Sequence, residues 1–405
     1  MRHYSIVGAG ARALEMYARP IVEQFPATAQ LVALADTNEA RARYVSRAVG
    51  GVPVFRDFAT MIRQTRPDCV IVTTVDRYHR EYCVRALEAG CDVILEKPMT
   101  IDAESCRAIL AAERRSGRTV TVTFNLRFVS YVTRIKELLR SGIIGQLLSV
   151  DFEWLLDRRH GADYFRRWHR RQANSGGLLV HKATHHFDMI NWLADDAPEQ
   201  VFAFGARRFY GPTRAERGER CSTCGYAKSC AFYVDLAADA VNRGLYFDVE
   251  AEDGYYRDGC VFADDIDIWD TMSVNVRYAS GMLLTYSLIA YSPYEGWRAA
   301  LTGTGGRIEL EHIESGPLAA VSAEHIRVFP AGGEMLTDTV PKGQGEHGGG
   351  DERLRARLFG GQALPDPLNH MAGAWAGAQS VLIGVAANQA IDSGLPVAIA
   401  DLLDP

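Results

Sequence analysis

A glycine-rich turn close to the first residue constrains the fold of this chain more than any other feature. Residues 3–7 are apolar and predict a strand, residues 8–13 spell GAGARA, and residues 14–23 have the pattern of a helix. The spacing G-x-G-x-x-A between a strand and a helix is typical of a dinucleotide-binding turn, in which bare backbone approaches a diphosphate beside a helix N-terminus. The predicted contacts are Gly8, Gly10, Ala11 and Arg12.

The acid after the second apolar run indicates which dinucleotide is bound. Residues 31–35 are apolar, and Asp36 follows them directly. A carboxylate at this strand end can accept hydrogen bonds from both adenosine ribose hydroxyls and repels a 2′-phosphate, so the sequence favours NAD over NADP. Arg41 and Arg43 lie near enough to weaken that preference, although a solvated helix face also explains them.

Apolar runs and helical segments continue to alternate through the first third of the chain. Residues 69–74, 93–95 and 120–124 predict strands, while residues 80–89 and 103–116 predict helices. Such alternation predicts a parallel, doubly wound α/β sheet of the Rossmann type, which binds ligands at the C-terminal ends of its strands. The polar side chains at those ends are Thr74, Asp76, His79, Glu96, Lys97, Asn125 and Arg127. Of these, Thr74, His79, Glu96, Lys97 and Asn125 are predicted to contact the cofactor.

The hydrophobic pattern changes after residue 147. Residues 148–154, 271–278 and 282–289 alternate apolar and polar side chains, and a short Ala-Ser-Gly turn joins the last two as a hairpin. Alternation of this kind fits an antiparallel sheet that is buried on one face. The second part is therefore predicted to be an α+β domain built on such a sheet.

The length of 405 residues favours two domains, because single cores stop growing near about 250–300 residues. We place an NAD-binding domain at residues 1–128 and a second, α+β domain at residues 129–405. The second domain contains a cysteine-rich segment at about residues 207–265 and a predicted C-terminal helix at residues 366–393.

Several segments together resemble the Gfo/Idh/MocA oxidoreductases, the relatives of glucose–fructose oxidoreductase and inositol dehydrogenase. They are the glycine turn with Asp36, Thr73-Thr74 with His79, residues 94–98 (ILEKP), residues 123–128 (TFNLRF) and residues 176–188. The resemblance spans most of the chain except for a cysteine-rich insertion at about residues 207–265, and it implies that residues 129–405 form the substrate and oligomerisation domain. It implies a Rossmann domain, a large, open, mostly antiparallel sheet that forms homodimers or homotetramers, and hydride transfer between a sugar carbinol and nicotinamide. Lys97 matches the family lysine that touches the reacting hydroxyl.

The stretch from Gly176 to Asp188 holds the other candidate catalytic residues. His185 matches the family histidine near the substrate carbinol, His181 stands where the family usually has aspartate, and Lys182 is an added cation. Alcohol oxidation releases a proton to a base within hydrogen-bond reach, so we expect Lys97 and His185 to contact the hydroxyl, with His181 and Lys182 beside them. Packed histidines and a solvated lysine are the structural alternatives.

Two polar segments are expected near the substrate. Residues 157–171 are basic and aromatic and predict a loop over the cleft, in which Arg166 binds an anionic group and Tyr164 or Trp168 stacks on a sugar ring. Residues 346–351 are glycine-rich and predict a loop that brings His347 and Asp351 to the same cleft. Arg127 is a further candidate for substrate binding. Solvated surface loops are the alternative for both segments.

The eight cysteines form two groups. Four lie in apolar segments and are expected to be small buried hydrophobes. The others are Cys221, Cys224, Cys230 and Cys260, whose C-x2-C-x5-C spacing with a downstream partner fits four thiolate ligands of a structural zinc ion in a reducing compartment. An iron–sulfur cluster and free thiols remain alternatives.

The bulk properties exclude several classes of function. The net charge of −6 argues against nucleic-acid binding, no apolar run is long enough to span a bilayer, and the first strand leaves no room for a signal peptide, so we expect a cytoplasmic enzyme. The leading prediction is an NAD-dependent sugar dehydrogenase. The alternatives are a redox-neutral glycoside hydrolase that oxidises, eliminates, hydrates and reduces its substrate, including an anionic sugar, and a non-catalytic NAD sensor.

Overall fold

The computed structural model describes residues 1–317, 319, 322–343, 345–362 and 364–403. It contains two mixed sheets with helices packed on them. The strands are β1 (Arg2–Val7), β2 (Ala29–Ala35), β3 (Val54–Phe55), β4 (Cys69–Val72), β5 (Asp92–Leu95), β6 (Val120–Val122), β7 (Leu147–Asp157), β8 (Pro198–Ala206), β9 (Thr271–Tyr278), β10 (Leu283–Ser292), β11 (Gly296–Gly303), β12 (Gly306–Ile313), β13 (Ala323–Pro330), β14 (Leu336–Pro341), β15 (Ala372–Gly373) and β16 (Val397–Ala398).

A π-helical segment at Ala13–Ala18 precedes the first α-helix. The α-helices are α1 (Arg19–Glu23), α2 (Glu39–Ala48), α3 (Phe58–Thr65), α4 (His79–Glu88), α5 (Ala103–Ser116), α6 (Ser130–Arg140), α7 (Arg158–Arg166), α8 (Gln172–Ser175), α9 (Leu178–His181), α10 (Thr184–Ala194), α11 (Ala240–Leu245), α12 (Gly350–Phe359), α13 (Ala374–Ser393) and α14 (Ile399–Leu403). None of these helices is long and apolar enough to cross a lipid bilayer.

The first sheet has the order β15-β6-β5-β4-β1-β2-β3. The strands β1 to β6 are parallel, as the alternation of apolar and helical segments predicts. β4 is buried along its whole length because helices cover both faces of a doubly wound sheet. The carboxyl ends of β1, β4, β5 and β6 therefore meet at one edge, where the predicted site residues follow them.

The second sheet has nine strands in the order β14-β13-β12-β11-β7-β10-β9-β8-β16. Its neighbours are antiparallel except β7 and β10, which confirms the prediction of a large, mostly antiparallel sheet. Side chains of β9 alternate between buried and exposed, because helices pack on one of its faces.

The C-terminal part of the chain returns to the first sheet. β15 pairs antiparallel with β6, and Phe359 at the end of α12 packs edge-on against Tyr4 of β1 with ring centroids 5.1 Å apart. The predicted helix at residues 366–393 begins only at Ala374, because Asp366 accepts hydrogen bonds from the amides of His370 and Met371 and holds the preceding segment in a turn. A division at residue 128 thus separates segments that share one sheet.

The basic segment predicted as a loop over the cleft is helix α7. Asp157 caps it by accepting hydrogen bonds from the amides of Arg159 and His160. Gly161 lets this helix touch β10, since a Cβ there would lie 1.8 Å from the carbonyl oxygen of Ala290. The helix therefore holds its side chains at fixed positions next to the cleft.

Candidate active site

A cleft of about 960 Å³ runs between the carboxyl edge of the first sheet and the helices α7, α9 and α10. Its volume is near the upper end of small-molecule sites, about 300–1,000 Å³. Most of the predicted site residues line it: Gly8, Gly10, Ala11, Arg12, Asp36, Thr74, His79, Glu96, Lys97, Asn125, Tyr164, Trp168, His181, Lys182, His185 and His347.

The glycine turn has the narrow geometry that a dinucleotide turn requires. Gly8 has φ +93°, and a Cβ on it would lie 2.7 Å from the backbone of Thr73, so this position accepts only glycine without a shift. Asp36 fixes the turn by accepting hydrogen bonds from the amide of Ala9 at 2.6 Å and that of Asn38 at 2.8 Å. The turn and its acid therefore fit NAD, with Arg41 3.8 Å from the Asp36 carboxylate.

A buried ion-pair network supports the middle of the cleft. Arg12 donates to Glu96 at 2.6 Å and to Asp351 at 3.0 Å, and Asn125 donates to Asp351 at 2.6 Å. Burial opposes ionisation of Asp351, but the hydrogen bond with His347 and the Arg12 guanidinium keep the pKa of that carboxyl below its usual value. Arg12 and Asn125 thus stabilise the wall of the cleft through their contacts with Glu96 and Asp351.

Lys97 reaches across the cleft from the end of β5. Its ammonium donates to the carbonyl oxygen of His181 at 2.9 Å. Burial lowers the pKa of Lys97 to about 7, and the neighbouring ammonium of Lys182 contributes in the same direction. His79 holds the backbone beside it, with Nδ1 2.8 Å from the oxygen of Pro98 and Nε2 3.2 Å from that of Thr74.

His181, which stands where the family resemblance expects an aspartate, is paired with a carboxylate from the other domain. Its Nδ1 lies 2.5 Å from Asp76 Oδ2. Burial lowers the pKa of His181, with Lys97 adding to the effect, and burial raises the pKa of Asp76. Both shifts favour uncharged side chains, so the pair adds little net charge next to Lys97.

His185, like His169, lines the cleft and keeps free hydrogen-bonding capacity among the residues that the structure describes. Its Nδ1 is buried and has no hydrogen-bond partner among the residues that the structure describes. Burial and the nearby Lys97 lower its pKa well below the usual value, which keeps the imidazole neutral. Lys182 packs with its ammonium 4.7 Å from the ring centre of Trp154. A neutral imidazole and two amines therefore face one small volume.

A chain of three side chains ends in the cleft at Tyr164. Its hydroxyl lies 3.0 Å from Nε2 of His160, and Nδ1 of His160 lies 2.8 Å from a carboxylate oxygen of Glu295. Burial raises the pKa of Tyr164, although the Lys182 ammonium opposes this, so the phenol stays protonated. Its ring centre lies 5.6 Å from that of His181. The three side chains thus form a continuous line of hydrogen-bond contacts from the buried Glu295 to the cleft.

Two predicted substrate residues lie elsewhere. Arg127 forms a two-pronged ion pair with the buried Asp188, at 2.7 and 2.5 Å, and is part of the core. Arg166 points into the insertion, where it donates to the carbonyl oxygen of Phe232 at 3.1 Å. The neighbouring Arg167 lines the cleft instead, because α7 ends at Arg166 and the chain turns there.

The four cysteines predicted to bind zinc do not form a ligand set. Within the described part of the chain, no group of three or more His, Cys, Asp or Glu side chains could hold a metal ion. The neighbours of two of these sulfurs are cations, with Arg166 3.7 Å from Cys221 and Arg214 3.2 Å from Cys230. All eight cysteines are free thiols. The zinc site predicted from the spacing is not supported by this arrangement.

Sequence reasoning assigned no role to several residues in or beside the cleft. Asp76 was recognised as a polar residue at a strand end, but its contact with His181 was not predicted. His160 lies in the segment that we expected near the substrate, four residues before Tyr164. Glu295 and Tyr246 carry no local signal, because only the folded chain brings them to the site.

A Rossmann domain whose strand ends form a cleft with helices of a domain built on a nine-stranded sheet is typical of a class of two-domain oxidoreductases. The sequence matches the profile described as "Oxidoreductase family, NAD-binding Rossmann fold" over residues 2–124 and that described as "Oxidoreductase family, C-terminal alpha/beta domain" over residues 136–399. The chain belongs to this family, the Gfo/Idh/MocA oxidoreductases.

Individual relatives agree with this assignment. The chain is 37% identical to YteT of Bacillus subtilis, which is named as an oxidoreductase. The alignment of the two spans 425 residues and covers 99% of each sequence. It is 28% identical to the D-glucoside 3-dehydrogenase of Escherichia coli over 56% of this chain and 60% of the relative. A levoglucosan dehydrogenase solved with NADH and levoglucosan has the same fold, with a TM-score of 0.70 at 20% identity over 98% of this chain and 99% of the other.

Proposed function

We propose that this protein is an NAD-dependent dehydrogenase that oxidises a ring carbinol of a sugar or glycoside. The observation that carries the proposal is the position of Lys97, whose amine faces the neutral His185 and the Asp76–His181 pair in a cleft that begins at the glycine turn. When bound there, NAD supplies the acceptor for the hydride.

The chain's own residues supply the acid–base part of the reaction. An amine with a pKa of about 7 is poised to accept the hydroxyl proton near neutral pH, where both of its forms are populated. His185 can hydrogen-bond the same hydroxyl and orient it. The Asp76–His181 pair fixes the backbone oxygen to which Lys97 donates, and so positions the amine.

The pKa of Lys97 predicts the pH dependence of the oxidation. Only the neutral amine accepts a proton, so kcat/KM should fall about tenfold per pH unit below about 7 and level off above that value. The charged and titratable groups around Lys97 include Asp76, Glu96, Lys182 and Arg12. The histidines nearby include His79, His169, His181 and His185. Initial rates across the pH range in the absence of product test this. A limb near the ordinary lysine value would contradict the assignment.

The names of two relatives support the proposed substrate class, because the D-glucoside 3-dehydrogenase and the levoglucosan dehydrogenase are named for carbohydrate substrates. Trp168 and Tyr164 line the cleft, which supports stacking of an aromatic ring on a sugar. The test is to incubate the protein with NAD and a panel of neutral sugars, uronic acids and glycosides. Substrate-dependent formation of reduced nicotinamide supports the proposal, and its absence with every member of the panel rejects it.

A redox-neutral glycosidase is the second candidate, and the chain of Glu295, His160 and Tyr164 favours it. Oxidation of a ring carbinol acidifies the neighbouring C–H bond, elimination expels the aglycone, water adds to the double bond, and the returned hydride restores the carbinol. Departure of the aglycone needs a second acid besides Lys97. A protonated phenol with a buried carboxylate behind its histidine partner is suited to that role.

Replacing Tyr164 with Phe separates the two candidates. For a glycosidase we expect release of nitrophenol from an aryl glycoside to fall by about 100-fold or more, because general acid catalysis contributes about 10²–10⁴. Oxidation of a free sugar should change less than tenfold. His160→Gln, which keeps the phenol but breaks the chain, should give an intermediate loss. Equal losses in both assays would assign Tyr164 to substrate binding alone.

Cofactor choice and assembly are further parts of the proposal. The partly buried Asp36 supports NAD over NADP despite the guanidinium of Arg41 3.8 Å away. Assembly as a homodimer or homotetramer through the exposed face of the nine-stranded sheet remains a prediction.

A further inference from the structure

The insertion between β8 and β9 packs on the glycine-turn end of the cleft. Three contacts anchor it to the N-terminus of α2. Arg41 donates to the carbonyl oxygen of Leu245 at 3.0 Å and to Asp253 at 2.7 Å, and Asn38 donates to the carbonyl oxygen of Val249 at 2.9 Å. Leu245 and Tyr246 are buried in the same core cluster as β1. The insertion therefore forms an ordered wall at the glycine-turn end of the cleft.

Within this wall, Tyr246 touches the turn itself. Its hydroxyl accepts a hydrogen bond from the amide of Ala11 at 2.8 Å. Amides of such turns are the donors by which Rossmann domains bind a diphosphate. Because the hydroxyl uses a lone pair to accept this bond, its own proton remains available. Among the residues that the structure describes, no group accepts that proton. The hydroxyl can therefore donate a hydrogen bond to a ligand in the cleft.

Arg257 brings a positive charge to the same place. Its guanidinium carbon lies 4.2 Å from the ring centre of Tyr246, and its side chain lines the cleft. The cations Arg12 and Arg41 have carboxylate partners, whereas Arg257 forms no ion pair with any residue that the structure covers. A guanidinium held on an aromatic ring beside a donor hydroxyl is suited to a phosphate.

We propose that Tyr246 and Arg257 form a diphosphate-binding element, by which the insertion completes the dinucleotide site. The Tyr246 hydroxyl accepts a hydrogen bond from the amide of Ala11 and donates its own proton to a diphosphate oxygen. Arg257 neutralises the negative charge of the diphosphate. The proposal rests on the proposed function, since it assumes that a dinucleotide binds at the turn. Its ligand class is a nucleoside diphosphate ester, and the nicotinamide end is not needed for recognition.

The test is equilibrium binding, followed by tryptophan fluorescence or calorimetry, of NAD, ADP-ribose and adenosine to Arg257→Gln, Tyr246→Phe and the wild type. A charge-assisted hydrogen bond contributes about 1.5–3 kcal/mol, so Arg257→Gln should raise the Kd of NAD and of ADP-ribose about 10-fold or more. Adenosine, which lacks the diphosphate, should bind all variants equally. Tyr246→Phe should weaken the two diphosphates by a smaller factor.

Arg243→Gln is the matched control, because Arg243 is an exposed arginine of the same insertion paired with Asp248. It should bind all three probes as the wild type does. Unchanged Kd values in folded Arg257→Gln, or tighter binding by Tyr246→Phe, would overturn this proposal while leaving the proposed function intact. A wild-type protein that binds neither NAD nor ADP-ribose would instead reject the proposed function, and this element with it.

Discussion

Replacing Lys97 with Met should lower turnover by about 100-fold to 10,000-fold, the contribution of a positioned acid–base group. The Kd of NAD should stay within about threefold of the wild type, because the glycine turn and Asp36 hold the dinucleotide at the other end of the cleft. Met is close to Lys in length and apolar, so it fits a site whose burial already disfavours the charged amine. Stopped-flow or steady-state rates measure the first quantity, and calorimetry the second.

Lys228→Met serves as the control, since Lys228 is exposed in the insertion and should tolerate the change without effect. Turnover of Lys97→Met within tenfold of the wild type would remove Lys97 from the acid–base role. Loss of NAD binding together with turnover would show instead that the lysine is needed to hold the cofactor.

Replacing Arg127 with Met should cost stability rather than substrate affinity. Arg127 and Asp188 are both buried, and removal of one partner of such a pair costs about 3–5 kcal/mol because the remaining charge is left uncompensated. Burial already raises the pKa of Asp188 against the opposing effect of Arg127. Denaturant unfolding measures the free energy, and the KM of the folded variant should remain near that of the wild type.

The double change Arg127→Met with Asp188→Leu tests the cause of that loss. An apolar pair of similar volume often replaces a buried ion pair with little loss, so the double variant should recover much of the stability. If the single variant is as stable as the wild type but its KM rises at least tenfold, Arg127 binds substrate and the core assignment is wrong.

The sequence predicted the placement of backbone-determined residues well. Gly8, Lys97 and His185 lie in the cleft because each follows a strand or sits on a helix face whose position depends on local pattern. The parallel first sheet and the mostly antiparallel second sheet follow from the same periodicities. The roles of these residues in catalysis and binding still need the experiments above.

Contacts between residues far apart in the sequence could not be predicted from local patterns. Arg127 and Arg166 look like the other cleft cations in sequence, but their partners Asp188 and Phe232 are set by packing 61 and 66 residues away. Asp76 likewise meets His181 across 105 residues. The cysteine spacing allows a metal, yet the arginines that the fold places beside the sulfurs could not be read from it.

The return of β15 to the edge of the first sheet limits how this protein can be recombined with its relatives. Because residues near position 372 complete one sheet and Phe359 fills its core, the coenzyme-binding half is not a module that can be exchanged by a single junction near residue 128. In a chimera made that way, β15 of this protein would have to pair with the edge strand of a relative's sheet. Phe359 would have to pack into a core of different sequence. To transfer cofactor preference between relatives, a second segment containing Phe359 and β15 would have to be exchanged together with the N-terminal half.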